Sequence, residues 1–276
     1  EFRPGRVEFA LFIERGSRDI AERRQVRFRY PLPKLSAASL RGEKEPPLEI
    51  WIGSLLEGAQ QARGAVAVID VLRAFTTAAA VLANGASRII MVGAVTEAIK
   101  LRDDGLGQVC LGEVGGQAPP GFDFGNSPFE VADADFTGKT VIQRTSAGTQ
   151  GIVAAARHAQ VLYAASLVTA TATARALRSH QTERISLVAM GSEAIARSDE
   201  DELCALHLRN LVEGRPGNPA AVRDVILAGG DVLRFHDPSR PYLNRVDLEI
   251  ALDIDRYDFA IRVTMENGLP VARREA

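Results

Sequence analysis

Apolar and polar positions follow two regimes along the chain, with the change near residue 47. Over residues 1–46 arginines are frequent, no helical or strand period holds, and Pro31, Pro33 and Pro46 act as breakers. Such a segment cannot bury enough apolar surface to offset its ordering, so a disordered N-terminal extension is expected there. Residues 47–276 are expected to form one domain. In them short β-branched runs alternate with helical patterns, the rhythm of βα units. Residues 66–69 read as a buried strand and 74–84 as a helix closed by Gly85. Residues 89–92, 109–111, 141–143, 161–163 and 185–189 read as further strands. Helices are predicted over 96–102, capped by Thr96, and over 152–158, 170–178 and 200–211. Residues 259–264 and 269–272 flank Glu266-Asn267-Gly268, which reads as a hairpin turn. The expected fold class is α/β: a three-layer α/β/α arrangement around a largely parallel or mixed sheet.

Composition narrows the function. A chain of 276 residues with 46% hydrophobic and 25% charged residues is ordinary for a globular protein with a large core. Its formal net charge of -2 offers no basic excess for nucleic acid. No apolar run approaches membrane-spanning length, so no membrane partner is expected, and no secretory leader either. Cys110 and Cys204 both lie in apolar segments and suit a reduced, cytoplasmic setting.

In open α/β sheets ligands bind beyond the carboxyl ends of the strands, which converts the strand series into candidate site residues. Asp70 and Arg73 follow the first buried strand, with Thr76 and Thr77 in the helix mouth. A carboxylate there can hold a metal, and an arginine fork can grip an oxyanion. The same residues read equally as a helix cap and a surface arginine. Arg144, Thr145, Ser146, Gly148 and Thr149 form a hydroxyl- and glycine-rich βα loop, a natural nest for phosphate oxygens. It lacks the lysine and spacing of a Walker A loop. Glu113 and Ser166 also follow strands. Gly121-Phe122-Asp123-Phe124-Gly125-Asn126-Ser127-Pro128 excludes regular structure, and its Asp123 and Asn126 are oxygen donors that suit magnesium.

Several strings mislead. Asp133-Ala134-Asp135-Phe136-Thr137 copies a phosphatase signature but precedes a turn instead of following an apolar strand. Asn210 stands where a Cys204-based phosphatase needs arginine, and the four histidines have no metal-ligand spacing. No Gly-x-Ser-x-Gly elbow supports a serine hydrolase.

The order Ile69-Asp70-Val71-Leu72-Arg73-Ala74, Ala83-Asn84-Gly85-Ala86, Gly112-Glu113, the Gly121 to Pro128 octet, Gly138-Lys139-Thr140 and the Thr145 to Thr149 loop resembles the 2-phosphosulfolactate phosphatase family. The resemblance implies a magnesium-dependent hydrolase that takes phosphate from 2-phospho-3-sulfolactate, a coenzyme M precursor step. Magnesium is expected among Asp70, Glu113 and Asp123. Arg73, Thr76, Thr77, the residues of the 144–149 loop and Ser166 are expected to bind phosphate. Asp70 is the expected nucleophile if a carboxylate attacks, with Asp201 as acid or base. The alternatives are the same chemistry on another small phosphorylated hydroxy acid, or a non-catalytic phosphate-binding module. Homo-oligomerisation is left open.

Overall fold

The computed structural model describes residues 48–276, so the expected disordered extension lies outside the described residues. The chain runs β1 (Glu49–Ser54), α1 (Leu55–Gln61), β2 (Gly64–Ile69), α2 (Ala74–Ala83), β3 (Arg88–Val92), α3 (Val95–Asp103), β4 (Val109–Gly112), β5 (Thr140–Arg144) and α4 (Gly148–Ala155). It continues with β6 (Ala159–Ala165), α5 (Ala170–Ser179), β7 (Arg184–Ala189), α6 (Asp199–Val212), α7 (Pro219–Ala228), α8 (Arg245–Ala251), β8 (Ala260–Glu266) and β9 (Leu269–Glu275).

One nine-stranded sheet has the order β1-β7-β2-β6-β8-β9-β3-β5-β4. Strands β1, β7, β2 and β6 are mutually parallel, as are β3, β5 and β4. The β8–β9 hairpin joins the two sets through antiparallel pairings to β6 and β3. Its turn places Asn267 and Gly268 at φ 51 and 82, the left-handed pair that a tight hairpin needs. Three antiparallel pairings reverse the nominal direction from one parallel set to the other. Five strand-to-strand steps separate β2 from β5. At roughly 20–25° of twist per step they accumulate on the order of 110°, which turns the carboxyl ends of the two sets toward each other.

Alternation along the strands divides the core. Val66, Val68, Met91, Val141 and Ile261 face one side, under α1, α2 and α4. Ala65, Ala67, Ile69 and Leu187 face α5, α6, α7 and α8 on the other side, and Ile90, Cys110 and Ile142 face α3. The outcome is the expected three-layer α/β/α fold. Strand β2 is buried along its whole length, which explains its uninterrupted apolar run. Helix α2 is buried from Ala74 to Leu82, and its alanines let it lie close beneath the sheet. Among the described residues no helix is long and apolar enough to cross a membrane.

Some boundaries differ from the sequence expectation. Helix α4 begins at Gly148, ahead of the expected start at residue 152. Glycine is a poor helix former, so Gly148 and Gly151 read as loop. Crowding explains Gly151: a Cβ there would sit 2.4 Å from Met190 Sδ and 2.8 Å from Val68 Cγ1. Ala94, not Thr96, is the N-cap of α3. No element was expected in residues 48–65 or 213–258, yet these hold β1, α1, α7 and α8. Helix α7 carries Val222, Val225 and Ile226 at helical spacing but buries only Ile226.

Candidate functional site

The site is organised by Asp70, the residue after β2. Its Oδ1 accepts the N–H of Ala74 at 3.0 Å and its Oδ2 that of Gly148 at 2.8 Å. These are the first residues of α2 and α4, so one carboxylate serves two helix N-termini whose dipoles favour negative charge. Gly148 is required by the close approach, because a Cβ there would meet Asp70 Oδ2 at 2.8 Å and Ala74 Cβ at 2.9 Å. Burial opposes the charge more strongly than the two N–H groups favour it. With the Glu113 and Glu200 charges added, the Asp70 carboxyl is pushed up to about 7.

Asp201, in the first turn of α6, stands behind this carboxylate. Its Oδ1 accepts the N–H of Val71 and its Oδ2 that of Gly191, both at 2.8 Å. It therefore ties the chain after Asp70 to the end of β7. Burial, then the charges of Asp70 and Glu200, hold its carboxyl well above the usual carboxylate range. Asp201, expected as acid or base, is buried and does not line the crevice.

Glu113 plays a similar part for the loop before α4. Its Oε1 accepts the N–H of Ser146 at 2.5 Å, and its Oε2 accepts the N–H of Gly116 at 2.8 Å and the Ser146 hydroxyl at 3.1 Å. Arg144 braces the outside of the loop, donating to Glu113 O at 2.7 Å and Gly93 O at 3.2 Å.

Arg73 is 4% exposed and enters the crevice wall already bound. Its Nη1 donates to Asp247 Oδ2 at 2.8 Å and Tyr242 O at 2.9 Å, and its Nη2 to Gly116 O at 3.3 Å. Asp247, fully buried on α8, also accepts from the Ser127 hydroxyl at 2.6 Å and the Phe129 N–H at 3.0 Å through Oδ1. One buried ion pair thus joins α2, the octet and α8.

Asp70, Arg73, Glu113 and Ser146 line one open crevice of about 120 Å³. Thr76, Thr77, Thr145, Thr149 and Ser166, expected to bind phosphate, are buried and do not line the crevice. Thr76 Oγ1 reaches Val71 O and Ser166 Oγ, each at 2.7 Å, and Thr77 Oγ1 donates to Arg73 O. The Thr145 N–H donates to Thr149 Oγ1 at 2.8 Å and the Thr149 N–H to Thr145 Oγ1 at 3.1 Å, so the two threonines cap α4 reciprocally.

Asp123 is not brought to Asp70 and Glu113. Its Oδ2 accepts the N–H of Cys110 at 2.7 Å and pairs with Arg102 at 3.4 Å, which staples the octet along the free edge of β4. The octet's residue in the crevice is Asn126, 5% exposed, whose Oδ1 is buried without a hydrogen-bond partner. Asp70, Glu113 and Asn126 present hard oxygen atoms, a set that suits magnesium, which commonly takes one or two carboxylates and fills the rest with water or phosphate. Among the described residues no three His, Cys, Asp or Glu groups form a metal cluster. Sequence reasoning missed Asp247, Arg234, Arg240 and Tyr242, all from the stretch where it assigned no element. No local motif marks them, and Asp247 acquires its meaning only through a partner 174 residues away.

Fold and site together define an α/β/α protein with a polar crevice at the strand ends, where such sheets hold small ligands. The family model described as 2-phosphosulpholactate phosphatase matches residues 53–240, and the chain belongs to that family. A probable 2-phosphosulfolactate phosphatase of Bacillus subtilis is 30% identical over 210 residues, 75% of this chain and 90% of the relative. One of Thermus thermophilus is 41% identical over 135 residues, covering 49% of this chain and 56% of the relative. One of Deinococcus radiodurans is 37% identical over 133 residues, 48% of this chain and 55% of the relative. The matched stretch thus spans about half the length of the latter two relatives.

Two outcomes follow from this geometry. Asp247→Ala leaves a buried guanidinium unpaired and should cost about 3–5 kcal/mol in urea denaturation. A loss below about 1 kcal/mol would show that the pair does not hold α8. Asp70 and Asp201 are raised above their unfolded value of 3.8, so the native state binds more protons than the unfolded chain from about pH 4 to 7. Their contribution to stability is therefore lost as pH rises through about 7 and regained as it falls. His180 and His207, with lowered values, act in the opposite sense only below the free histidine value of 6.5. In chelator, the denaturation midpoint should be higher at about pH 6.5 than at about pH 8. Equal midpoints would show that Asp70 ionises as an ordinary carboxylate.

Proposed function

We propose that the chain is a magnesium-dependent phosphomonoester hydrolase that converts 2-phospho-3-sulfolactate and water to 3-sulfolactate and phosphate. The observation that carries this reading is the Asp70 carboxylate, held on the first N–H of two helices and facing the same crevice as Glu113 and Ser146. Family membership and the relatives' names support the reaction class.

Each Asp70 oxygen accepts one backbone N–H and keeps a second acceptor direction. Asp70, Glu113 and Asn126 would hold magnesium, which when bound screens the phosphoryl oxygens. Without a metal the Asp70 carboxyl is pushed up to about 7; a cation beside it would lower that value and keep it the carboxylate that accepts a proton from an attacking water. Water then forms the new P–O bond while the ester P–O bond breaks, and the leaving alkoxide recovers a proton. Ser146 can donate to a phosphoryl oxygen. Arg73, paired with Asp247, shapes the wall and brings little net positive charge to it. Cys110 and Cys204, both free and buried, support a reducing cytoplasmic setting for this chemistry.

Phosphate release from phosphosulfolactate, phospholactate and phosphoglycerate, each with magnesium and with chelator, tests the proposal. Magnesium-dependent release, fastest on phosphosulfolactate, is expected. Release from none of them would refute it, and a faster rate on another substrate would move the specificity. Asp70→Asn should lower kcat by about 10²–10⁴-fold, the usual worth of a positioned proton acceptor. Asp123→Asn should stay within about threefold of wild type, because Asp123 serves the β4 edge. A large loss in the second variant would return Asp123 to the metal site.

A further inference from the structure

Arg73 is neutralised by Asp247, yet the crevice carries further guanidinium groups from the stretch after α7. Arg234 lies in a 3₁₀ turn, Asp231–His236. Its Nη2 donates to Glu200 Oε1 at 3.1 Å, while its Nε is buried without a partner. Arg240 is half exposed and pairs with Asp237 at 3.4 Å, a carboxylate that Ser239 also engages. Both arginines line the crevice that Asp70 lines. Arg234, Arg240 and Asp70 thus face one small crevice, which a single small molecule can span.

A phosphorylated acid with a second strong anion brings more negative charge than Arg73 can offset. Planar, weakly hydrated guanidinium forks suit a sulfonate, whose three oxygens share one delocalised charge. We infer that Arg234 and Arg240 form a second anion subsite, which takes the sulfonate of the substrate while its phosphate lies at Asp70. This rests on the phosphatase reading and adds to it the residues that select the substrate. An analogue without the sulfonate forgoes both guanidinium contacts, which is how a polar site disfavours a substrate lacking one group.

The test compares kcat and KM for phosphosulfolactate and phospholactate in the wild type, Arg240→Ala and Arg234→Lys. The lysine keeps a charge beside Glu200 but removes the fork. In both variants KM for phosphosulfolactate should rise roughly tenfold or more, with kcat and the phospholactate KM within about twofold. Equal KM changes on the two substrates would assign the arginines to the carboxylate or phosphate and overturn the inference, as would no change on either. If the wild type releases phosphate from neither substrate, the phosphatase reading fails by itself. The subsite is then read by calorimetry with 3-sulfolactate and lactate. Tighter wild-type binding of 3-sulfolactate that Arg240→Ala abolishes supports the subsite, and its absence overturns it.

Discussion

The structure depends on a carboxylate shared between two helices. Asp70 accepts the first N–H of α2 and of α4, and each neighbouring feature follows from making that possible. Strands β2 and β5 belong to oppositely directed sets, so the sheet must twist through five steps before their ends can meet. Gly148 must lack a side chain where α4 meets Asp70. Asp201 fixes the Val71 N–H, and with it the turn that aims Asp70. Burial and the surrounding acids oppose the charge that the helix ends favour, and the carboxyl is left near 7 instead of at its usual value.

Asp247 supplies the complementary constraint from the far end of the chain. By holding Arg73, Ser127 and the Phe129 N–H together, it closes the crevice with loops that have no regular structure of their own. A buried ion pair of this kind adds little net stability compared with an apolar contact, but breaking it is costly. Its value here is geometric. It fixes Asn126 and Gly116 relative to Asp70, which loops alone would not do.

The layers and most strands were legible because burial writes them directly into the chain: β2 is apolar throughout and the Asn267-Gly268 turn is explicit. The crevice position was legible too, since Asp70, Arg73, Glu113 and Ser146 all follow strand ends. What the sequence conceals is direction and partnership. Thr145 and Thr149 have the residue types of an anion nest, but their hydroxyls turn inward to cap α4. In the octet the carboxylate of Asp123 catches the eye, yet it points to the β4 edge and Asn126 reaches the crevice. Asp247 and Arg234 sit in short elements and Arg240 in a loop, and long-range pairing gives Asp247 its meaning.

That inversion changes how an anion can be received. Free helix N-termini attract phosphate directly through their N–H groups. Here the first N–H of α2 and of α4 is already occupied by Asp70, so the helices present a carboxylate to the crevice instead of a donor. A phosphate approaching Asp70 and Glu113 meets like charge. Productive binding then requires positive charge between or beside the two. Arg73 contributes little of it, being paired with Asp247. The remaining sources are a cation on the oxygens of Asp70, Glu113 and Asn126, and the arginines at positions 234 and 240, which are paired with Glu200 and Asp237 but are more exposed than Arg73. On the proposed reading these would act at opposite ends of a small substrate, one where charge develops in the transition state and the other where it does not change. Only the first would then accelerate the reaction, and the second would set which molecule is held.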